Sequence, residues 1–482
     1  MLCQRLRFVD LWRALQSTRC TRAVALCGAL FFACTGASAA EMTFNVSFQG
    51  SNDPLTGVGR YADVWAEGDY AYLGSFQTTG VRIFNIADPT NPTLVSTYTG
   101  GNFKDVKTRN GVGYFASDDG QGMHIVDISD PNNPTLIKRA TSLQGGFNDI
   151  HNIFLDGDYV YQADNHNAAV KVLNISDPAN PFFVRNIILD TPGEAVHDIT
   201  VMNGRLYTSS KGSSTSLGGT THIYDITNVG TIEPPLLKAF TTGARTHSNW
   251  PTADGNTLVV AQERDNGEIR IYDISDIDQE NDPDTPVLLK TITRNTLGIN
   301  AKTPHNPVIA DNKLYVSWYQ AGLMIFDLED PSAAPLIGAY DSLPGTTGQP
   351  TGFAGAWGVF PFLGTDKVFI GDTENGLIVV DASAAYSTAL LPGDFNADGF
   401  VGIDDLTLVL ARWNQPVTPG DEWQGDTTND GFVGIDDLNA VLGNWNSGTP
   451  PSAETSPIVP EPATATMIFF AGCVCLRRGT GS

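Results

Sequence analysis

Val81-Arg82-Ile83-Phe84-Asn85-Ile86 is a short apolar phrase that ends in an Asn and a hydrophobic residue. Six further versions follow at a spacing of roughly 50 residues: Met123-His124-Ile125-Val126-Asp127-Ile128, Val170-Lys171-Val172-Leu173-Asn174-Ile175, Thr221-His222-Ile223-Tyr224-Asp225-Ile226, Ile269-Arg270-Ile271-Tyr272-Asp273-Ile274, Leu323-Met324-Ile325-Phe326-Asp327-Leu328 and Leu377-Ile378-Val379-Val380-Asp381. A fixed period of this length marks a repeat architecture, and strand-forming repeats punctuated by Gly and Pro turns predict propeller blades. In the first repeat, Asp63-Val64-Trp65 opens a strand, Glu67-Gly68-Asp69 turns it and Tyr70-Ala71-Tyr72-Leu73 returns. The repeated phrase follows, then the turn Asp88-Pro89-Thr90-Asn91-Pro92 and a fourth strand at Thr93-Leu94-Val95-Ser96. The last repeat lacks this turn and its following strand. Phe44, Val46 and Phe48 alternate with polar residues near the start of the body, a period of two, and are expected to supply the missing strand. The fold class predicted is therefore mainly β, a seven-bladed β-propeller.

The segments outside the repeats differ in character. Arg5, Arg7, Arg13, Arg19 and Arg22 precede an apolar run from Ala23 to Ala33, and Ala37-Ser38-Ala39-Ala40 offers a small-residue cleavage site. Residues 1–40 thus read as a secretory signal peptide. The six cysteines lie only near the two ends, so the body carries no disulfide framework. A net charge of −25 disfavours nucleic acid and anionic lipid as partners. The body is expected over residues 41–390, a small acidic module over 391–448, a Ser/Thr/Pro linker over 449–458 and a tail over 459–482.

The seven histidines fall into two groups. His124 and His222 share a slot that holds Arg82, Lys171 and Arg270 elsewhere, and are expected on an outward strand face; His166 lies in a polar turn and is expected to be solvated. His151, His197, His247 and His305 each fall at the start of the first strand of a blade, in four consecutive repeats. The first strand of a blade lines the central channel, so these four are expected to converge at one channel mouth. They could ligate a transition metal, with the neighbouring Asn and Asp residues behind them. The competing expectation is structural, with each imidazole bonding between adjacent blades.

The body resembles the LVIVD-repeat propellers of the choice-of-anchor B family, secreted or surface bacterial proteins. The resemblance rests on the seven phrases and on Val196-His197-Asp198, Thr246-His247-Ser248-Asn249-Trp250, Pro304-His305-Asn306, Gly355-Ala356-Trp357, Phe360-Pro361-Phe362 and Asn375-Gly376-Leu377. It implies a propeller and a surface or extracellular location, and no established reaction.

After Leu391 the chain carries two twelve-residue loops, Asp394 to Asp405 and Asp426 to Asp437. Oxygen donors fall at Asp394, Asn396, Asp398, Asp405 and at Asp426, Thr428, Asp430, Asp437, with the Phe400 and Phe432 carbonyls at position 7 and Gly399 and Gly431 at the sharp turn. This spacing predicts calcium as a cofactor. Each loop leads to an amphipathic helix, with Leu406, Val409, Leu410 and Trp413 matching Leu438, Val441, Leu442 and Trp445. The pair resembles a type I dockerin, a small α-helical module of paired EF-hand-like loops. Positions 10 and 11 are Ile403-Asp404 and Ile435-Asp436, unlike the polar pairs through which many dockerins meet cohesins. That departure argues against an ordinary cohesin partner, and a calcium-stiffened spacer or a partner of unusual specificity is the equal alternative.

The tail, Val459-Pro460-Glu461-Pro462, an apolar run from Ala463 to Leu476, then Arg477-Arg478, resembles a PEP-CTERM sorting signal. The apolar run would span only ~21 Å as a helix, short of a ~30 Å hydrocarbon core, so transient membrane contact is expected rather than a stable anchor. No G-x-S-x-G, P-loop or H-E-x-x-H motif occurs. The expectation is an exported, non-catalytic binding protein with an unidentified protein or glycan ligand. The alternatives are a metal-dependent enzyme using the four histidines, or an accessory protein in extracellular polysaccharide degradation.

Overall fold

A computed structural model describes residues 42–55, 60–78, 80–189, 194–212, 218–277, 286–344, 353–386, 393–395, 400–417, 425–426 and 430–447. The expected leader, linker and sorting tail lie outside the described residues. Among those described, the body forms seven four-stranded antiparallel sheets. Six are consecutive in sequence; the first comprises Tyr61–Glu67, Tyr70–Ser75, Val81–Asn85 and Thr93–Tyr98. First strands of neighbouring blades pack against one another around the ring, and that of the seventh, Ala356–Phe360, meets that of the first. The fold is the expected seven-bladed propeller.

The repeated phrase is the third strand of each blade, and its composition has two physical causes. First, every blade is covered on both faces by its neighbours, so the strand does not alternate and is apolar up to its closing Asp or Asn except at Thr221 and at its second position, where Arg, Lys or His stands in five of the seven repeats. In Val81–Asn85, Met123–Asp127 and Leu323–Asp327 the first four residues are all buried. Second, the closing Asp or Asn makes a side-chain turn. Its Oδ1 accepts the backbone N–H two residues on in all seven repeats: Asn85 from Ala87, Asp127 from Ser129, Asn174 from Ser176, Asp225 from Thr227, Asp273 from Ser275, Asp327 from Glu329 and Asp381 from Ser383, at 2.8–3.0 Å.

The same double coverage corrects the expectation for His124 and His222. Neither is on an outward face; they are 3% and 0% exposed. His124 Nδ1 bonds the Tyr98 hydroxyl at 2.7 Å, and burial first, then Arg139, pulls its pKa down to about 4. The slot tolerates long polar side chains because they lie flat between blades, as Arg82 does at 5% exposure. His166 is exposed, as expected.

Ring closure differs in detail from the alternation expected over Phe44 to Phe48. The closing strand is Ser47–Asn52, the outermost strand of the seventh blade, antiparallel to Gly376–Asp381. Phe44 stops short of it and forms a backbone bridge to Ala339 in the sixth blade, with both bonds at 2.9 Å. Phe44 and Val46 are buried in the cores beside the sixth and seventh blades, whereas Phe48 is half exposed. The segment therefore spans two blades. Burying two such side chains contributes roughly 4 kcal/mol, and their removal bares a strand edge. Deleting residues 42–52 should lower unfolding stability by at least about that amount and produce self-association by light scattering. A truncated chain that stays monomeric with an unchanged denaturation midpoint would show that this strand does not close the ring.

Candidate functional site

The channel mouth is built by a repeated irregularity. At the start of the first strand in the fourth blade, Val196 pairs with Ser210 and Asp198 with Ser209, leaving His197 as an extra residue. The same bulge carries His247 in the fifth blade, Lys104 in the second and Trp357 in the seventh. A bulge breaks the alternation of side chains and re-aims one of them. His151 and His305 occupy the matching places just before Asn152–Asp156 and Pro307–Ala310.

The four histidines meet as expected. Ring centroids are 4.1 Å apart for His151 and His197, 4.2 Å for His197 and His247, and 4.3 Å for His247 and His305. Trp357 and Tyr319 continue the row at 4.6 and 4.9 Å from His305. The structural expectation is met at two of the four, whose imidazoles bond to the next blade: His197 Nδ1 lies 3.1 Å from the His247 carbonyl and His305 Nδ1 2.6 Å from that of Trp357. His247 Nδ1 makes no hydrogen bond of normal geometry, although the His305 carbonyl still acts on it to favour the protonated form. A carbonyl acceptor fixes the proton on Nδ1 of a neutral ring and leaves Nε2 with its lone pair.

Two of the residues after the histidines, Asn152 and Ser248, latch strand to strand, as does Asp105 after Lys104 in the second blade. Asn152 Oδ1 accepts from Ile199 N at 3.1 Å, Asp105 Oδ2 from Ile153 N at 2.7 Å, and Ser248 Oγ donates to the His305 carbonyl at 2.6 Å. Deeper in the channel, Lys107 pairs with Asp105 and, at 2.9 Å, with Asp63. Burial, opposed by Lys107, lifts the Asp63 carboxyl to about 7. Below the mouth there remains a cavity of about 50 Å³, walled in part by Asp198, Asn306, Trp250 and Phe362.

Glu263 was not legible in the sequence as part of this site. It follows the second strand of the fifth blade, Thr257–Gln262, and no motif surrounds it. Its Oε2 lies 3.7 Å from His247 Nε2 and its Oε1 3.9 Å from His305 Nε2. Lys211 Nζ approaches Oε2 at 3.2 Å, and the Tyr319 hydroxyl donates to Oε1 at 2.8 Å. Burial would raise this carboxyl, but Lys211 first, then His305 and Tyr319, hold it below its ordinary value. Two groups bring possible ligand atoms within 4.8 Å of one another: His151, His197 and His247, and His247, Glu263 and His305.

The acidic module is a separate candidate site. Helices Ile403–Ala411 and Ile435–Gly443 follow the two loops. The position 12 carboxylates turn inward: Asp405 accepts from Phe395 N and Gly402 N, both at 2.7 Å, and Asp437 from Gly434 N at 2.8 Å. Asp426 accepts from Gly431 N at 2.8 Å. Asp394, Asp405, Asp426 and Asp437 are all buried. The loops are held by matching backbone bonds, Val401 with Asn446 and Ser447, and Val433 with Asn414 and Gln415. Asp430 is exposed, and the Phe400 and Phe432 backbones flank these bonds. Asn396, Asp398 and Thr428 lie outside the described residues. The helix faces are narrower than expected: Val409 and Val441 are buried with Phe395, Val401 and Val433, and Leu406 and Leu438 pack against them. Leu410, Trp413, Leu442 and Trp445 are exposed.

The LVIVD repeat model matches residues 58–100, 100–141, 149–188, 308–342 and 366–391. The propeller is built of LVIVD repeats. Its fourth and fifth blades fall outside these matches yet have the same four strands. Both replace the Asp-Pro turn after the repeated phrase with longer connections, at 227–235 and 275–286. No curated protein matches the chain. Among solved structures, a computationally designed protein, Ika8, is similar at 11% identity and a TM-score of 0.45, covering 69% of this chain and 99% of the other. A functionally unknown protein from Desulfotomaculum acetoxidans is similar at 13% identity and a TM-score of 0.44, covering 58% and 84%.

Burial lowers the pKa of all four mouth histidines in the LVIVD propeller, well below the ordinary imidazole for His151, His197 and His247 and to about 4 for His305. The unfolded chain therefore takes up protons first as the pH falls. The stability these rings contribute is present above ~6.5 and is lost as the pH drops toward the folded values, by up to ~1.4 kcal/mol per pH unit for each residue. In transition-metal-free protein, NMR should find all four imidazoles neutral at pH 5.5. Any of them titrating near 6.5 would show that the ring is solvated and its burial wrong.

Proposed function

We propose that this chain is an exported, non-catalytic binding protein. Its LVIVD propeller is the rigid recognition body, and residues 391–448 form a calcium-stabilised, dockerin-like module. Export is supported by the Arg-rich leader with its small-residue cleavage site. A tail of the PEP-CTERM kind would deliver the protein to the cell surface or release it after transient membrane contact. The ligand is a protein or glycan met at the mouth, where Phe76, Trp357, Tyr319 and Phe353 form an aromatic row.

The observation that carries the calcium reading is the burial of Asp394, Asp405, Asp426 and Asp437, the carboxylates at positions 1 and 12 of the two loops. Carboxylates in a low-dielectric setting repel one another strongly and need cationic charge close by. The residues present fit that ion: Asp394, Asn396, Asp398, Asp405 and the Phe400 carbonyl for one loop, and Asp426, Thr428, Asp430, Asp437 and the Phe432 carbonyl for the other. Hard oxygen donors of this number suit calcium, which supplies charge and cross-linking, not chemistry. Ile403 and Ile435 at loop position 10 are exposed, so any docking partner meets an apolar pair there, unlike an ordinary cohesin contact.

Binding free energy in such a module is folding free energy. The segment from Pro392 to Gly448 should be largely disordered in chelator and helical in millimolar calcium by circular dichroism. Asp394→Ala should weaken the response more than Thr428→Ala, because only the first removes a charge. Identical spectra with and without calcium would remove the metal assignment.

A further inference from the structure

Packing of the ring does not account for one feature of the mouth. His305 donates Nδ1–H to the Trp357 carbonyl at 2.6 Å, so the Nε2 of the neutral ring carries a lone pair. That lone pair is set against a carboxylate, 3.9 Å from Glu263 Oε1, and His247 Nε2 lies 3.7 Å from Oε2. These separations are too long for hydrogen bonds. Buried acceptors facing each other are unfavourable unless positive charge lies between them.

We propose that the mouth binds one transition-metal ion between His247, His305 and Glu263. Two donors on one tetrahedral ion, each at ~2.0–2.1 Å, stand about 3.4 Å apart, so both histidine–Glu263 separations need close by only a few tenths of an ångström, and the donor atoms of all three groups already lie within 4.8 Å of one another. The outer contacts are those of a built site: the Trp357 carbonyl orients His305, and the Tyr319 hydroxyl orients Glu263. Imidazole and carboxylate donors suit zinc, copper, nickel or iron, whereas calcium prefers oxygen alone. The site is thus chemically distinct from the acidic loops.

Lys211 makes the assignment testable. Its ammonium, 3.2 Å from Glu263 Oε2, supplies the positive charge that the carboxylate requires when no metal is bound. A divalent ion must displace it. Removing Lys211 therefore removes a competitor, while removing the Glu263 charge removes a ligand, and the two changes act in opposite directions.

The full chain, stripped with chelator and restored to millimolar calcium so that the acidic loops are filled, would be titrated with Co²⁺ by absorbance and with Zn²⁺ by calorimetry. One equivalent per chain is expected, with cobalt d–d bands that zinc abolishes. Glu263→Gln and His305→Gln should each weaken zinc binding roughly tenfold or more. Lys211→Met should strengthen it, a result that misfolding cannot mimic. The proposal fails if the wild-type chain takes up no equivalent, or if both Glu263→Gln and His305→Gln leave the affinity unchanged. It fails equally if Lys211→Met weakens binding. Loss of binding in His151→Ala with full binding in Glu263→Gln would place the ion one step round the ring and overturn the assignment.

Discussion

Every blade of this propeller needs a neighbour on each face. The third strands carry apolar side chains on both faces, and a sheet of that kind has no stable existence in water until both sides are covered. For six blades sequence order provides the neighbours. For the seventh, the chain must return, and Ser47–Asn52 does so after Phe44 has bridged to Ala339. Closure is thus the condition on which the cores between blades depend, and through them the channel. The His197, His305 and Ser248 contacts to the next blade are made by side chains that converge only in the closed ring.

Much of this was legible because the repeat imposes the same local physics seven times. The Asp or Asn ending each phrase could be read as a turn signal, and the bond from its side chain to the second N–H onward explains why. Convergence of His151, His197, His247 and His305 followed from their common place in the repeat. What escaped was whatever depends on neighbours in space. His124 and His222 looked like surface residues because their slot admits charge, but that slot lies between two sheets. The terminal strand was placed three residues early, since Phe44 and Val46 are buried by a seam instead of by strand alternation. Glu263 belongs to a different strand from the histidines it faces, so no sequence spacing could reveal it.

The acidic module shows the same division. Helix periodicity placed the two helices after the loops. The expectation of a broad apolar face on each helix failed at Leu410, Trp413, Leu442 and Trp445, because two nine-residue helices enclose a core only wide enough for Val409, Val441 and their closest partners. A unit this small has little apolar area to bury.

The bulge at the head of the inner strands has a wider consequence. A residue that is supernumerary in the ladder holds no strand register, so exchanging its side chain does not by itself shift the pairing, although the ring loses whatever contact that side chain made with the next blade. Across the ring this one position already accommodates Lys104, His197, His247 and Trp357, side chains that differ in size, charge and aromaticity. The chemistry of the mouth and the register of the strands can therefore vary separately in this architecture: a new side chain at one bulge alters what the channel presents while the ladder on either side of it keeps its pairing.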